Sequence, residues 1–96
     1  MDIVVAYDIA NTDTTAGASR LRRLSDVCAS YGGRAQQSVF ECRVSPLSFH
    51  QMQDEIRRVV DTDQDSVVIY RVLGDLATSR TVIGQGPRDL GQPWIV

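Results

Sequence analysis

The 96-residue chain contains no lysine: all ten of its basic residues are arginine. It also has only one histidine, two cysteines and one tryptophan. Each scarcity excludes something. With one histidine, a multi-histidine metal centre cannot form within one chain, and a Ser-His-Asp triad would have to use His50. Cys28 and Cys42 lack CxxC spacing, so they make neither a zinc site nor a disulfide framework; both sit in apolar patterns that suit buried free thiols. No apolar run approaches the roughly 20 residues of a membrane span. The start, Met1-Asp2-Ile3, lacks the basic residues of a signal peptide, and a cytoplasmic protein without a membrane partner is expected. The net charge of −2 argues against a general nucleic-acid coat protein. Phosphate would have to be met by a local cluster of arginines, whose rigid fork suits it.

What is present has the composition of a small globular domain, 43% hydrophobic and 23% charged, spanning 1–96. Alternation and β-branched residues predict a strand from Ile3 to Ile9. Asn11 to Gly17 reads as a polar loop. Leu21, Leu24, Val27, Cys28 and Tyr31 share one face of a helix over Ala18–Tyr31, and Gly32-Gly33 is read as its left-handed stop. Arg34 to Val44 is extended but long for one strand, so a kink, bulge or hairpin is expected near Gln37-Ser38. Ser45-Pro46 opens a second helix with Phe49, Met52, Ile56, Val59 and Val60 inward. Asp61–Asp65 is an acidic loop, and Ser66–Leu73 is the most strand-like segment. With a hairpin in the middle, the order is βαββαβ, an α+β ferredoxin-like pattern. Two helices cover one face of such a sheet. The other face, and the apolar residues Val82, Ile83, Trp94, Ile95 and Val96, then call for a partner, with 80–96 as a tail or strand packing on a homodimer mate.

Asp8 ends the first strand, where a carboxylate is well placed to hold a hard cation, although on the residues alone turn capping is the commoner role of a strand-terminal aspartate. Mg²⁺ usually takes one or two protein carboxylates together with water, and a nearby two-fold axis would bring Asp8 and its symmetry mate together. The competing reading is a turn cap. Arg20, Arg22 and Arg23, with Arg34 beyond the helix, form either a phosphate clamp or a solvated face balanced by Asp26. His50 lies beside Gln53, Asp54 and Arg57 on a polar helix face. Asp61, Asp63 and Asp65 lack the glycine and terminal glutamate of an EF-hand and read as a solvated loop.

Tyr7-Asp8-Ile9, the arginine-rich first helix and its Tyr31-Gly32 end resemble Cas2, the second CRISPR-associated core protein. The segment Arg34-Ala35-Gln36-Gln37-Ser38-Val39-Phe40-Glu41-Cys42 is similar to that family's RVQ-x-SVFE signature, with Ala35 where valine is usual. Ser66–Val72 resembles its fourth strand, and Val82-Ile83-Gly84 its late glycine strand. The cysteine after SVFE and the long loop after Asp8-Ile9 look most like subtype I-C members. The resemblance implies a ferredoxin-like homodimer that works with the Cas1 integrase in capturing new spacers. It also implies an Mg²⁺-dependent endonuclease, with Mn²⁺ as substitute, acting on RNA or double-stranded DNA. The metal-binding and catalytic aspartate corresponds to Asp8. Nucleic-acid contacts correspond to Tyr7, Arg20, Arg22, Arg23, Arg34, Ser38 and Phe40. Three rivals stand beside this reading: a non-catalytic scaffold of the integrase complex, a toxin-like ribonuclease of the VapD type, and a small-molecule-binding regulator. The last would need a glycine-rich pocket, for which Gly84-Gln85-Gly86 is a weak signal.

Overall fold

A computed structural model describes residues 1–86. The predicted alternation produces β1 (Asp2–Asp8), with Ile3, Val5 and Tyr7 buried on one side and Val4 and Ala6 half-buried on the other. Next come α1 (Thr15–Ala29), β2 (Gly32–Gln36), β3 (Val39–Arg43), α2 (Pro46–Val59), β4 (Ser66–Val72) and a one-turn α3 (Leu76–Ser79). The four strands form one antiparallel sheet in the order β2-β3-β1-β4. This is the ferredoxin-like arrangement expected. The core lies between the sheet and the two long helices. Ile3, Val5, Phe40 and Cys42 of the strands meet Leu24 and Cys28 of α1 and Phe49, Met52 and Ile56 of α2. The Tyr31 hydroxyl donates to Glu55 Oε2 at 2.6 Å and ties the end of α1 to α2.

The expected hairpin turns at Gln37-Ser38, with a register shift between Arg34 and Gln36. Ser45 caps α2 through its side chain, which accepts from Ser48 N. Three local expectations are corrected. First, α1 begins at Thr15, before the expected Ala18. Thr14 is its N-cap, accepting from Gly17 N at 3.1 Å, so Gly17 belongs to the first helical turn and not to a loop. Second, the helix ends at a right-handed Ser30, and Gly32 has no left-handed conformation. Gly32 starts β2, where a Cβ would sit 2.2 Å from Glu41 O and 2.7 Å from Cys42 Cα. Close approach of two strands, not helix termination, requires glycine there. Third, Val82-Ile83 forms no strand, and the only described element after β4 is α3.

That short helix folds back over the sheet face opposite the long helices. Leu76 is buried, and its N–H donates to Asp2 Oδ2 at 2.9 Å. Arg43 Nε meets Asp2 Oδ1 at 2.9 Å, and Arg80 Nη2 meets Glu41 Oε1 at 3.0 Å. The chain itself therefore covers part of the face expected to await a partner. Beyond this cover, Val68 and Tyr70 remain exposed on β4, and Leu73 and Ile83 are almost fully so. The rest of the expected tail, 87–96, lies outside the described residues.

Candidate functional site

The site grows from the end of β1. Asp8 pairs with Ser66 of β4 through its backbone, and its side chain is exposed. Among the described residues its carboxylate accepts no hydrogen bond. It therefore caps no turn. The turn beyond it is held by other groups. Asn11 takes a left-handed conformation at φ 56°, and its carbonyl accepts from Thr14 N at 3.0 Å and Thr14 Oγ1 at 2.6 Å. The Ala10 N–H donates to Asp65 Oδ1 at 2.9 Å.

Asp8 borders an open cavity of about 620 Å³ between β1, α1 and the β2–β3 turn; Tyr7, Thr12, Arg22, Arg34 and Ser38 share its lining. The structure thus brings together five of the expected residues: Tyr7, Asp8, Arg22, Arg34 and Ser38. Tyr7 is nearly buried. Its hydroxyl lies 2.9 Å from Ser25 Oγ, and its N–H donates to Ser38 O at 3.1 Å. Its ring stacks on Phe40 with centroids 6.3 Å apart, and the Arg34 guanidinium lies 4.7 Å from the Phe40 centroid. Arg34 also donates to the Gln37 carbonyl. Phe40 itself is 1% exposed, so its part here is to carry Arg34 and Tyr7. Arg23 is exposed on α1 but does not line the cavity. Arg20 points elsewhere: its Nε donates to Asp65 Oδ2 at 2.9 Å and its Nη2 to Ala10 O at 2.9 Å. Asp26, one helical turn beyond Arg22, adds a second carboxylate to the lining that sequence reasoning takes only as a counter-charge.

Several groups are set aside by the geometry. His50 is 73% exposed on α2, with Nε2 3.6 Å from Asp54 Oδ2, and is not in the cavity lining. Burial pushes the Cys28 and Cys42 thiols up to about 12, so neither is a thiolate nucleophile at neutral pH. A second depression of about 440 Å³, between α2 and β4, has a mixed lining in which Ile56, Val60, Val67 and Ile69 stand beside polar residues such as Gln53, Arg57 and Asp65, and it contains none of the expected site residues.

Sequence reasoning misplaces Asp65 by reading it as part of a solvated loop. Its side chain is 0% exposed. It accepts from Ala10 N, Asp61 N and Arg20. Burial alone would raise the pKa of this carboxyl, but Arg20 and the two backbone N–H groups outweigh burial and hold it below the usual value. Arg43, opposed by burial, likewise lowers the pKa of Asp2. For a carboxylate whose folded pKa is depressed, the stabilisation is full above the unfolded pKa and is lost as pH falls through the folded one. Stability is therefore expected to be flat above about pH 5 and to fall steadily below about pH 4. Urea midpoints measured from pH 7 to pH 2 check this, and Asp65→Asn should flatten the acid limb.

No group of three or more His, Cys, Asp or Glu among the described residues could hold a metal within the chain. A hard cation at this site would have to rely on Asp8, alone or with Asp26 of the same lining, completed by water, phosphate oxygens or a second copy of the chain. An exposed carboxylate with no internal hydrogen bond, beside an arginine-lined cavity, suits Mg²⁺, which keeps several waters and needs few protein ligands.

Comparison with known proteins places this geometry in context. The family model described as CRISPR associated protein Cas2 matches residues 1–77. A CRISPR-associated endoribonuclease Cas2 of Moorella thermoacetica is 42% identical over 72 residues, covering 75% of this chain and 74% of the relative. A CRISPR-associated endonuclease Cas2 of Halalkalibacterium halodurans is 35% identical over 96 residues, 99% of each chain. A crystal structure of Streptococcus pyogenes Cas2 superposes with a TM-score of 0.79 at 36% identity, covering 88% of this chain and all of that one. Among the described residues no helix is long and apolar enough to cross a membrane.

Proposed function

Because the chain belongs to the Cas2 family of CRISPR-associated proteins, we propose that it is a divalent-cation-dependent endonuclease that uses Asp8 to cut phosphodiester bonds of RNA or double-stranded DNA. The relatives named endoribonuclease and endonuclease support nuclease activity. The observation that carries the assignment to Asp8 is its unpartnered carboxylate at the rim of a cavity that also presents Arg22 and Arg34. When bound, Mg²⁺ or Mn²⁺ supplies charge for the scissile phosphate and activates water. The chain's own residues do the rest. Asp8 holds the cation. Arg22 and Arg34 hold phosphates on either side, Arg34 being fixed over Phe40 and to the Gln37 carbonyl. Tyr7, tied to Ser25, and Ser38 shape the cavity floor.

The working unit in this reading is a homodimer in which each copy contributes Asp8. The exposed Val68, Tyr70, Leu73 and Ile83 support it, since exposed apolar residues of this kind mark an association surface. Sedimentation at micromolar concentration is expected to give twice the 10.6 kDa chain mass; a monomer would remove the shared site. Partnership with the Cas1 integrase in spacer acquisition, cytoplasmic location and kinship with subtype I-C members belong to the same proposal.

The test is cleavage by the purified chain of single-stranded RNA and of duplex DNA, with Mg²⁺ and with chelator. Cleavage that needs Mg²⁺ and stops with chelator is the expected result. Binding of duplex DNA without cleavage of either substrate would favour the non-catalytic scaffold. Binding should weaken steeply with salt, as phosphate contacts release counterions.

A further inference from the structure

Among the described contacts, Arg20 is the one member of the α1 arginine cluster whose guanidinium is hydrogen-bonded inside the chain, through Nε and Nη2. It is 15% exposed at the side chain, against 0% for Asp65, its partner. The two together close on the residue two positions beyond Asp8. Arg20 Nη2 donates to Ala10 O at 2.9 Å, while Asp65 Oδ1 accepts from Ala10 N at 2.9 Å. Both polar groups of the Ala10 backbone are therefore fixed by one ion pair. The pair is anchored in turn: Arg20 Nε meets Asp65 Oδ2 at 2.9 Å, and that oxygen also accepts from Asp61 N at 2.8 Å. Asn11 Nδ2 adds a bond to Gln64 Oε1 at 2.8 Å across the same seam. The Asp8 side chain, by contrast, has no hydrogen bond of its own among the described residues. Its position is set by the backbone on either side: by the β4 ladder before it, and after it by this clamp together with the Asn11–Thr14 turn.

We infer that Arg20 and Asp65 are positioning residues, which fix the loop after Asp8 through Ala10 and thereby set the cation affinity of Asp8, and that Arg20 does not contact nucleic acid. The inference rests on the proposed role of Asp8. It separates Arg20 from Arg22 and Arg34, which face the cavity. It also makes Arg20 intolerant of lysine. A phosphate contact needs a positive charge, which lysine keeps. The clamp needs a planar fork that reaches Asp65 and Ala10 O together, which a single ammonium does not reproduce.

The test uses Arg20→Lys, Arg20→Ala, Asp65→Asn and Arg22→Ala in the full chain, with Asp8→Asn as control. Three quantities are read: the Mg²⁺ concentration for half-maximal cleavage, duplex affinity in EDTA, and hydrogen exchange at the Ala10 amide. For Arg20→Lys and Asp65→Asn, half-maximal Mg²⁺ is expected to rise about tenfold or more, the range found when groups supporting a metal ligand are lost. Ala10 exchange should speed up by about tenfold or more in both, with duplex affinity in EDTA unchanged. Arg22→Ala should instead lose duplex affinity in EDTA. If Arg20→Ala proves too unstable to assay, Arg20→Lys carries the test. The inference is overturned if Arg20→Lys keeps wild-type metal dependence and Ala10 exchange, or if Arg20→Ala loses duplex affinity in EDTA as Arg22→Ala does; the role of Asp8 then stands. If Asp8→Asn cleaves at the wild-type rate, the role of Asp8 falls and the inference falls with it.

Discussion

Gly17→Ala is expected to lower the melting temperature by about 10–25 °C, through a loss of about 3 kcal/mol in a domain of this size. Helix propensity alone predicts the opposite sign. Gly17 lies in the first turn of α1, where alanine should gain about 1 kcal/mol over glycine. Packing reverses this. Gly17 is buried, and a Cβ there would stand 2.0 Å from Asn11 O, 2.5 Å from Asn11 C and 2.7 Å from Ala10 O. These are backbone atoms of the loop that follows Asp8. They are also fixed by Thr14, Asp65 and Arg20, so the loop cannot yield without breaking those bonds. Against a total stability of about 5–15 kcal/mol, the loss is large. Any protein that stays folded should have a displaced Asp8 loop and reduced cleavage. Thermal melts by circular dichroism decide the sign; an unchanged or raised midpoint would show that helix and loop can separate at little cost.

Gly17 also shows where local sequence signals end. The segment Asn11–Gly17 is polar and ends in glycine, and local signals alone read it as loop. The helix starts inside it because Thr14 caps and the glycine is needed to seat the helix on the loop, a requirement set by contact with Asn11. Gly32 is misread for the same reason, since the strand that excludes its Cβ runs about ten residues further on. Features set by local periodicity are legible: β1, the apolar faces of both long helices, the Ser45-Pro46 start and the turn at Gln37-Ser38. The grouping that motif resemblance gives, Tyr7, Asp8, Arg20, Arg22, Arg23, Arg34, Ser38 and Phe40, is legible in part: Tyr7, Asp8, Arg22, Arg34 and Ser38 line one cavity, and the other three do not. What is not legible depends on charges paired across the fold. Asp65 and Asp2 look like ordinary surface carboxylates in sequence; their partners Arg20 and Arg43 are 45 and 41 positions away. Three neighbouring arginines likewise look equivalent in sequence, although only the fold directs Arg20 inward and Arg22 to the cavity. The one-turn α3 is too short to show a periodicity, and it is held by Asp2 from the other end of the described chain.

Asp8→Asn should leave the protein folded and able to bind nucleic acid, and should reduce cleavage by about a thousandfold or more, since both charge neutralisation and water activation depend on the cation. The first half follows from the structure: the Asp8 side chain is exposed and supports no turn, so an isosteric amide is expected to change stability by no more than about 0.5 kcal/mol. Nucleic-acid affinity in chelator should be kept or slightly raised, because Arg22 and Arg34 are untouched and one negative charge per copy is removed beside the phosphate. The second half follows from chemistry. A neutral amide is a poor ligand for Mg²⁺ beside a carboxylate, and the described residues hold no group of three or more metal-ligating side chains to take its place, Asp26 being the one other carboxylate in the cavity lining. The decisive measurement is the cleavage rate of wild type and Asp8→Asn, purified side by side and assayed across a range of Mg²⁺ concentrations at equal bound substrate. Predicted is Mg²⁺-dependent cleavage by the wild type and cleavage slower by about a thousandfold or more by a folded, substrate-binding Asp8→Asn at every Mg²⁺ concentration. Cleavage by Asp8→Asn at the wild-type rate would contradict the assignment of Asp8.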